Sequence, residues 1–438
     1  MTRGRTLAAS ILKQVEAGRR LDVAWRESGA EDSPERGWIR ALAYGTVRLQ
    51  GRLDHLLARY CDRALAKLDP PVRRALRMGA FQILEMTSVP DYASVSQSVE
   101  HVRRSPGRAA AGLVNAVLRK VARHGWVRSS YPDPVVDVAG YLTAWGSHPS
   151  WLVERWIEAF GAVGARALVE MNNREADTYM RPIGTSREGA VAALAGAGIT
   201  IEEAEVGAGA EVWIRLPSGA KPADALAATP GIIQDPAASL VVEYAAPDAG
   251  SVVADLCAAP GCKALALGER AARVLAADIS PSRLSLVTDA WHRLARSGAA
   301  QPRPWTVVAD ARFPPVTQAD AVILDAPCSG TGTFRRRPDG RWRITAERLR
   351  SLQLLQRELL DGAASAVPPG GLLVYATCSL EPEENWCQIR DFLARRRDFR
   401  IDAGSGASRH LDGRGCLRLL PHENGFDGAF AARMRRAG

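Results

Sequence analysis

The chain has 438 residues, 47% hydrophobic and 24% charged, enough apolar material for two or three domains with cores of their own. Lys and Arg outnumber Asp and Glu by 57 to 48, and the resulting net charge of +9 favours a polyanionic partner, because cations at phosphates release counterions. No run comes near the roughly 18 apolar residues of a membrane span, and no apolar core follows Met1-Thr2-Arg3-Gly4-Arg5 as in a signal peptide. The seven cysteines include no Cys-x-x-Cys pair, which argues against a disulfide scaffold and a metal site and for the reducing cytoplasm.

In chain order, residues 1–135 read as helices. Ala8, Ile11, Leu12 and Val15 keep helical spacing, as do Leu53, Leu56 and Leu57. Pro70-Pro71 opens a further helix through Val72, Leu76 and Ala80, since proline suits a first helical turn. Helices over 95–102 and 111–121 complete the set. Basic residues crowd the last of them: Arg103, Arg104, Arg108, Arg119, Lys120, Arg123 and Arg128. They read equally as a solvated face or as a patch that faces RNA.

Tyr131-Pro132-Asp133-Pro134 marks a boundary. Residues 136–230 then mix types: helices over 151–160 and 165–172, an extended stretch over 178–183, a helix over 187–197 and an extended stretch over 212–216. This is a small α/β linker module, with no cluster of carboxylates or histidines to carry chemistry.

From residue 231 to 438 strands and helices alternate. Strands are expected over 251–257, 274–278, 306–310, 321–327 and 372–378, and helices over 264–272, 281–297, 345–367 and 383–396. The apolar run over 428–434 reads as a final edge strand. Such alternation predicts a doubly wound, Rossmann-like parallel sheet.

Open sheets of this kind bind ligands at the carboxyl ends of their strands. Two thiols and an acid are expected there: Asp325 and Cys328 in Asp325-Ala326-Pro327-Cys328-Ser329-Gly330, and Cys378 in Tyr375-Ala376-Thr377-Cys378-Ser379. Either cysteine alone reads as an inert strand end; the pair beside Asp-Ala-Pro reads as a site. A thiolate is a soft carbon nucleophile, and two thiols with an acid suit addition to a ring, group transfer and elimination.

The first strand runs into Asp255-Leu256-Cys257-Ala258-Ala259-Pro260-Gly261-Cys262-Lys263, a small-residue turn where a ligand approaches the backbone. It is neither a Walker A loop nor G-x-G-x-x-G. Asp278 ends the second strand, placed to accept ribose hydroxyls, and Asp310 ends the third, placed to accept from an adenine amine. Either acid alone also suits a helix N-cap. Three acids at three successive strand ends together ask for a nucleoside with free hydroxyls and no phosphate clamp, which points to S-adenosylmethionine. After the Cys328 loop, Arg335-Arg336-Arg337-Pro338-Asp339-Gly340-Arg341-Trp342-Arg343 sets five arginines around a tryptophan, read as RNA contacts over a solvated loop.

These motifs resemble the RNA cytosine-C5 methyltransferases of the NOL1/NOP2/Sun family, which carry an Asp-x-Cys-Ala-Ala-Pro-Gly-Gly-Lys loop, an Asp-Ala-Pro-Cys-Ser loop and a Thr-Cys-Ser strand end. Gly112-Leu113-Val114-Asn115-Ala116-Val117-Leu118-Arg119 is similar to the last helix of a NusB-like RNA-binding domain, a combination found in the bacterial RsmB (Sun/Fmu) subfamily. The resemblance implies methylation of a cytosine in 16S rRNA, position 967, with S-adenosylmethionine as donor. It implies that Cys257, Ala258, Ala259, Pro260, Gly261, Cys262 and Lys263 form the cofactor loop, that Asp278 holds the ribose and that Asp310 holds the adenine. Asp325 would lie beside the methionine part and the target base, Cys378 would be the nucleophile and Cys328 would assist release. The alternatives are a tRNA or another rRNA site, a non-catalytic RNA-binding assembly factor, and a small-molecule or protein methyltransferase. Two positions depart from the family: Cys262 stands for Gly and Ala264 for Thr, so a Cβ at 262 is expected to crowd the cofactor.

Overall fold

A computed structural model describes residues 2–104, 108–201, 213–299, 301–404 and 406–438. It resolves into two compact units: Met1–Glu175 together with Phe334–Arg343, and Ala176–Thr333 together with Ile344–Gly438.

The first unit is helical. Its front comprises Arg3–Glu16, Leu21–Glu27, Arg36–Arg48, Gln50–Ala58, Pro70–Glu85, Asp91–Arg103 and Ala111–His124. The apolar positions spaced by three and four in the sequence form its core, among them Ile11, Leu53, Leu56, Leu76, Val114 and Leu118. Pro70 and Pro71 occupy the first turn of their helix. Arg103, Arg119, Lys120, Arg123 and Arg128 are exposed, and Arg104 pairs with Glu100. The helices expected over 151–160 and 165–172 form one span, Ser150–Asn172, broken at Gly161, whose φ of 70° leaves the helical region.

The stretch 334–343 belongs to this helical unit, and part of it is buried rather than solvated. Arg341 is fully buried. It donates to the carbonyls of Arg48, Ser147, Asn172 and Phe334 and to Asn173 Oδ1. Trp342 donates from Nε1 to the Val47 carbonyl at 2.9 Å and packs on the helical core, and Arg335 is buried too. Arg341 is drawn inward by carbonyls at helix ends and loops, which need donors once buried. Only Arg337 and Arg343 of the five are exposed.

The second unit contains two sheets. In the smaller, β1 (Tyr179–Pro182) pairs antiparallel with β2 (Ile214–Arg215) and β3 (Gly231–Ile233), and helix Arg187–Gly196 packs nearby. Val212, expected at the start of β2, lies outside the described residues.

The larger sheet holds β4 (Val252–Leu256), β5 (Arg273–Asp278), β6 (Trp305–Val308), β7 (Ala321–Asp325), β8 (Leu372–Thr377), β9 (Phe399–Ile401), β10 (Leu417–Leu419) and β11 (Ala429–Arg436). Its order is β10-β11-β8-β7-β4-β5-β6, with β9 also paired to β11. The five strands from β6 to β8 are parallel. Both faces are covered. Val253, Val274, Ile323 and Val374 pack in one core, while Ala254, Leu256, Val322, Leu324, Leu373 and Tyr375 pack in another. That alternation into two apolar layers is what continuous apolar strands encode in a doubly wound fold.

The run over 428–434 is a strand, but not an edge. β11 runs antiparallel to β8 on one side and carries β9 and β10 on the other. Its arginines are neutralised: Arg433 and Arg435 both pair with Asp402, and Arg436 pairs with Asp398. No described helix is long and apolar enough to cross a membrane.

Candidate active site

The predicted site residues lie where β4, β5, β7 and β8 end. After β4 the chain turns sharply: Cys257 has φ 64° and Gly261 has φ 104°, and helix Cys262–Leu267 follows at once. Asp278, at the end of β5, accepts from the Ala259 amide at 3.2 Å and from the Ser280 amide at 2.9 Å. It therefore braces the turn, while Ser280 caps the next helix through Arg283 N. Arg283 also donates to the Ala259 carbonyl.

Lys263 reaches Asp325 at the end of β7, Nζ to Oδ2 at 2.6 Å. Burial disfavours the ammonium, but the carboxylates of Asp325 and Asp255 outweigh it and raise its pKa. Asp255 was not singled out from sequence. It is fully buried, and neither oxygen finds a hydrogen-bond partner of ordinary geometry. Burial first, then the Asp325 charge, pushes its pKa up to about 8. Burial and the charges of Asp325, Asp278 and Asp255 likewise push the Cys257 thiol up to about 12.

The two thiols meet: Cys328 Sγ and Cys378 Sγ are 3.4 Å apart. Their loops are laced together. Gly332 N donates to the Cys378 carbonyl at 3.0 Å and Leu380 N to Thr331 Oγ1 at 2.8 Å. A Cβ on Gly332 would stand 2.8 Å from Gly428 and 2.9 Å from the Cys378 carbonyl, so this approach requires glycine. The surroundings of the two sulfurs differ. The Lys263 ammonium stands in electrostatic reach of Cys378, whereas the Glu384 carboxylate stands in reach of Cys328. The hydrogen bond to Cys378, burial and the Glu384 charge together raise the Cys328 pKa well above the ordinary thiol value.

Two expected residues sit differently from their reading. Cys262 does not have a left-handed backbone; Gly261 does. Its thiol turns into the core beneath the small sheet and donates to the Ile233 carbonyl at 3.5 Å, so the Cβ is accommodated away from the turn. Asp310 lies two residues past β6, and its carboxylate is held by the Arg312 amide and guanidinium, the latter also on Glu358. These hydrogen bonds hold its pKa below the usual carboxylate range.

Comparison with known proteins fits this geometry. The family described as 16S rRNA methyltransferase RsmB/F matches residues 242–435, the NusB family matches 2–123, and an RsmF/B-like ferredoxin-like domain matches 148–216. The ribosomal RNA small subunit methyltransferase B of Cronobacter sakazakii is 31% identical over 449 residues, covering 98% of both chains. That of Vibrio vulnificus is 32% identical over 444 residues, again covering 98% of both. The chain belongs to the RsmB/F family of 16S rRNA methyltransferases. Within it the chain is of the NusB-bearing RsmB type, an RNA cytosine-C5 methyltransferase. The solved structure of PH0851 shares the fold, with a TM-score of 0.81 at 24% identity, over 100% of this chain and 99% of that one.

For this RsmB-type chain, sequence reading missed Asp255 and the polar residues behind the thiols: Glu384, Ser329, Ser379, Thr331 and Gln356. An acid at a strand-to-helix junction reads as a cap, and hydroxyls one residue past a cysteine read as loop. A signal was present in the spacing, because Glu384 follows Cys378 by six residues at the start of a helical pattern.

Proposed function

We propose that this enzyme forms 5-methylcytosine in 16S rRNA, at cytosine 967, through a covalent bond between Cys378 and C6 of the base, and that it acts in the cytoplasm with S-adenosylmethionine as donor. The reading at position 967 rests on the family resemblance. The covalent route rests on one observation: two thiols 3.4 Å apart, with a cation near one and a carboxylate near the other.

The site fits the donor. S-adenosylmethionine carries a sulfonium and an ammonium, and the site gathers the buried carboxylate of Asp255 with Asp278 and Asp325, while Lys263 pairs with Asp325 and Arg283 with Asp278. The turn from Cys257 to Lys263 would receive the methionine end, Asp278 the ribose and Asp310 the adenine. When bound, the donor supplies an electrophilic methyl group.

The chain's own groups then divide the work. The Lys263 cation favours the Cys378 thiolate, which adds to C6 and makes C5 nucleophilic. The Asp325 carboxylate, held by Lys263, accepts from the exocyclic amine of the cytosine and orients the ring. Once Cys378 is bonded to carbon, Cys328 loses the hydrogen bond to it. Cys328 releases its own proton to solvent, takes the C5 proton at sulfur, and the Cys378–C6 bond breaks to restore the ring. Extrusion of the base costs roughly a few kcal/mol, least for an unpaired nucleotide. The helical front, with its exposed arginines, docks the RNA by phosphate contacts.

Trapping tests this reading. Cys328→Ala should methylate and then stall, leaving an RNA–protein adduct that survives denaturing electrophoresis and is lost in the Cys328→Ala, Cys378→Ser double variant. An adduct that persists in the double variant would overturn the assignment of Cys378.

A further inference from the structure

Glu384 is fully buried, six residues past Cys378. Its Oε1 accepts from the Ser329 amide and from Gln356 Nε2, both at 2.9 Å, and its Oε2 accepts from Ser329 Oγ at 2.5 Å. The same Gln356 Nε2 donates to the Pro327 carbonyl at 2.9 Å. Both residues flanking Cys328 are therefore tied, directly or through one side chain, to this carboxylate.

The hydroxyls extend the tie to the other thiol. Ser329 Oγ lies 3.0 Å from Ser379 Oγ, which lies 3.4 Å from Thr331 Oγ1. An ionised carboxylate only accepts, so Ser329 must give its proton to Glu384. Ser379 then gives its proton to Ser329, and Thr331 gives its own to Ser379 while accepting from Leu380 N. The chain of donors has one direction, and Glu384 sets it. It runs from the residue after Cys378 to the residue after Cys328. The carboxylate is further fixed at its backbone, whose carbonyl accepts from Tyr375 Oη at 2.7 Å.

We propose that Glu384 is the positioning residue for Cys328: it holds that thiol against Cys378 through the Ser329–Ser379 relay, and its charge reserves Cys328 for the elimination step. The inference rests on the covalent route above. A carboxylate is costly to bury, and a neutral side chain would satisfy most of the same donors. What the charge adds is a field at Cys328, which also faces the titratable groups of Cys378 and Tyr375, with the Lys263–Asp325 pair beyond Cys378. The proximity of a negative group opposes thiolate formation there, so Cys328 does not compete as nucleophile, and it becomes a stronger base once its proton is gone.

The test uses full-length Glu384→Gln in two backgrounds. With Cys378→Ser, the pH dependence of Cys328 alkylation by iodoacetamide, read by peptide mass spectrometry, should move to lower pH than in the Cys378→Ser protein alone. With both cysteines intact, the RNA adduct should form at the parental rate but decay at least tenfold more slowly. Ser329→Ala keeps the charge and cuts the relay; it should slow adduct decay while leaving the alkylation profile in place, and it serves if Glu384→Gln folds poorly. An unmoved alkylation profile together with normal adduct decay in Glu384→Gln overturns the proposal. Absence of an adduct in every variant, Cys328→Ala included, would instead sink the covalent route, while a shifted alkylation profile would still stand for Glu384.

Discussion

Replacing Arg341 with Met should destabilise the helical unit more than any surface change in that unit. The guanidinium is fully buried and serves five acceptors, at 3.3 Å to Arg48 O, 3.2 Å to Ser147 O, 2.7 Å to Asn173 Oδ1, 3.0 Å to Asn172 O and 3.3 Å to Phe334 O. Burial, then repulsion from Arg48 and Arg52, holds its pKa well below that of an ordinary arginine, so the cation itself is costly. Met fills similar volume and removes that cost, several kcal/mol. It also removes the Arg341 donor from three carbonyls and an amide oxygen at about 1–3 kcal/mol each, while the Arg48 carbonyl keeps its bond from Ser147 Oγ. The acceptors outweigh the refund, and we expect a net loss of about 3 kcal/mol, in line with broken buried networks. For a unit of this size that is a fall of roughly 6–12 °C in melting temperature. Scanning calorimetry of both proteins measures it. Arg341→Lys should lose much of the same stability, because one ammonium cannot span the fork. An unchanged or higher melting temperature for the Met variant would refute the view that these acceptors depend on Arg341.

Asp255→Asn should be stabilising without ligand, increasingly so as pH rises. The folded pKa is raised from 3.8 to about 8, so between those values the native state holds a proton that the unfolded chain has released; wild-type stability falls through that window and levels off above it. The gap between variant and wild type should widen from pH 4 to pH 8, reaching a few kcal/mol; a constant gap in denaturant titrations would contradict the buried, unpartnered carboxylate. Cys262→Gly should leave S-adenosylmethionine affinity unchanged by calorimetric titration and cost about 1 kcal/mol of stability, since it removes a core contact and adds a flexible residue. Tighter binding by the Gly variant would restore the crowding idea.

The strands that carry the site were legible because each is a short apolar run bounded on at least one side by Asp, Pro or Gly, and that pattern survives burial on both faces. Asp325, Cys328 and Cys378 stand at the ends expected of them for the same reason. The direction of a single side chain was not legible. Cys262 points into the core because Gly261 takes the left-handed turn one residue earlier, and the order Gly-Cys-Lys does not say where the thiol after that turn will pack. β9 and β10 are three residues each, too short for periodicity to register. The burial of Arg341 was not legible for an electrostatic reason: an arginine-rich run reads as exposed until the carbonyls that hold this side chain are seen. The run over 428–434 reads as an edge because β10 and β9, which pair with its far side, are too short to register.

The central claim is that Cys378 is the nucleophile toward a cytosine of 16S rRNA. The most direct measurement is methyl transfer from labelled S-adenosylmethionine to unmodified 16S rRNA, followed by bisulfite sequencing, for the wild-type protein and Cys378→Ser side by side. A hydroxyl is a far weaker nucleophile than a thiolate, so the account predicts 5-methylcytosine at position 967 with the wild type and none with the variant, with cofactor binding equal in the two. Substantial 5-methylcytosine made by Cys378→Ser would contradict it.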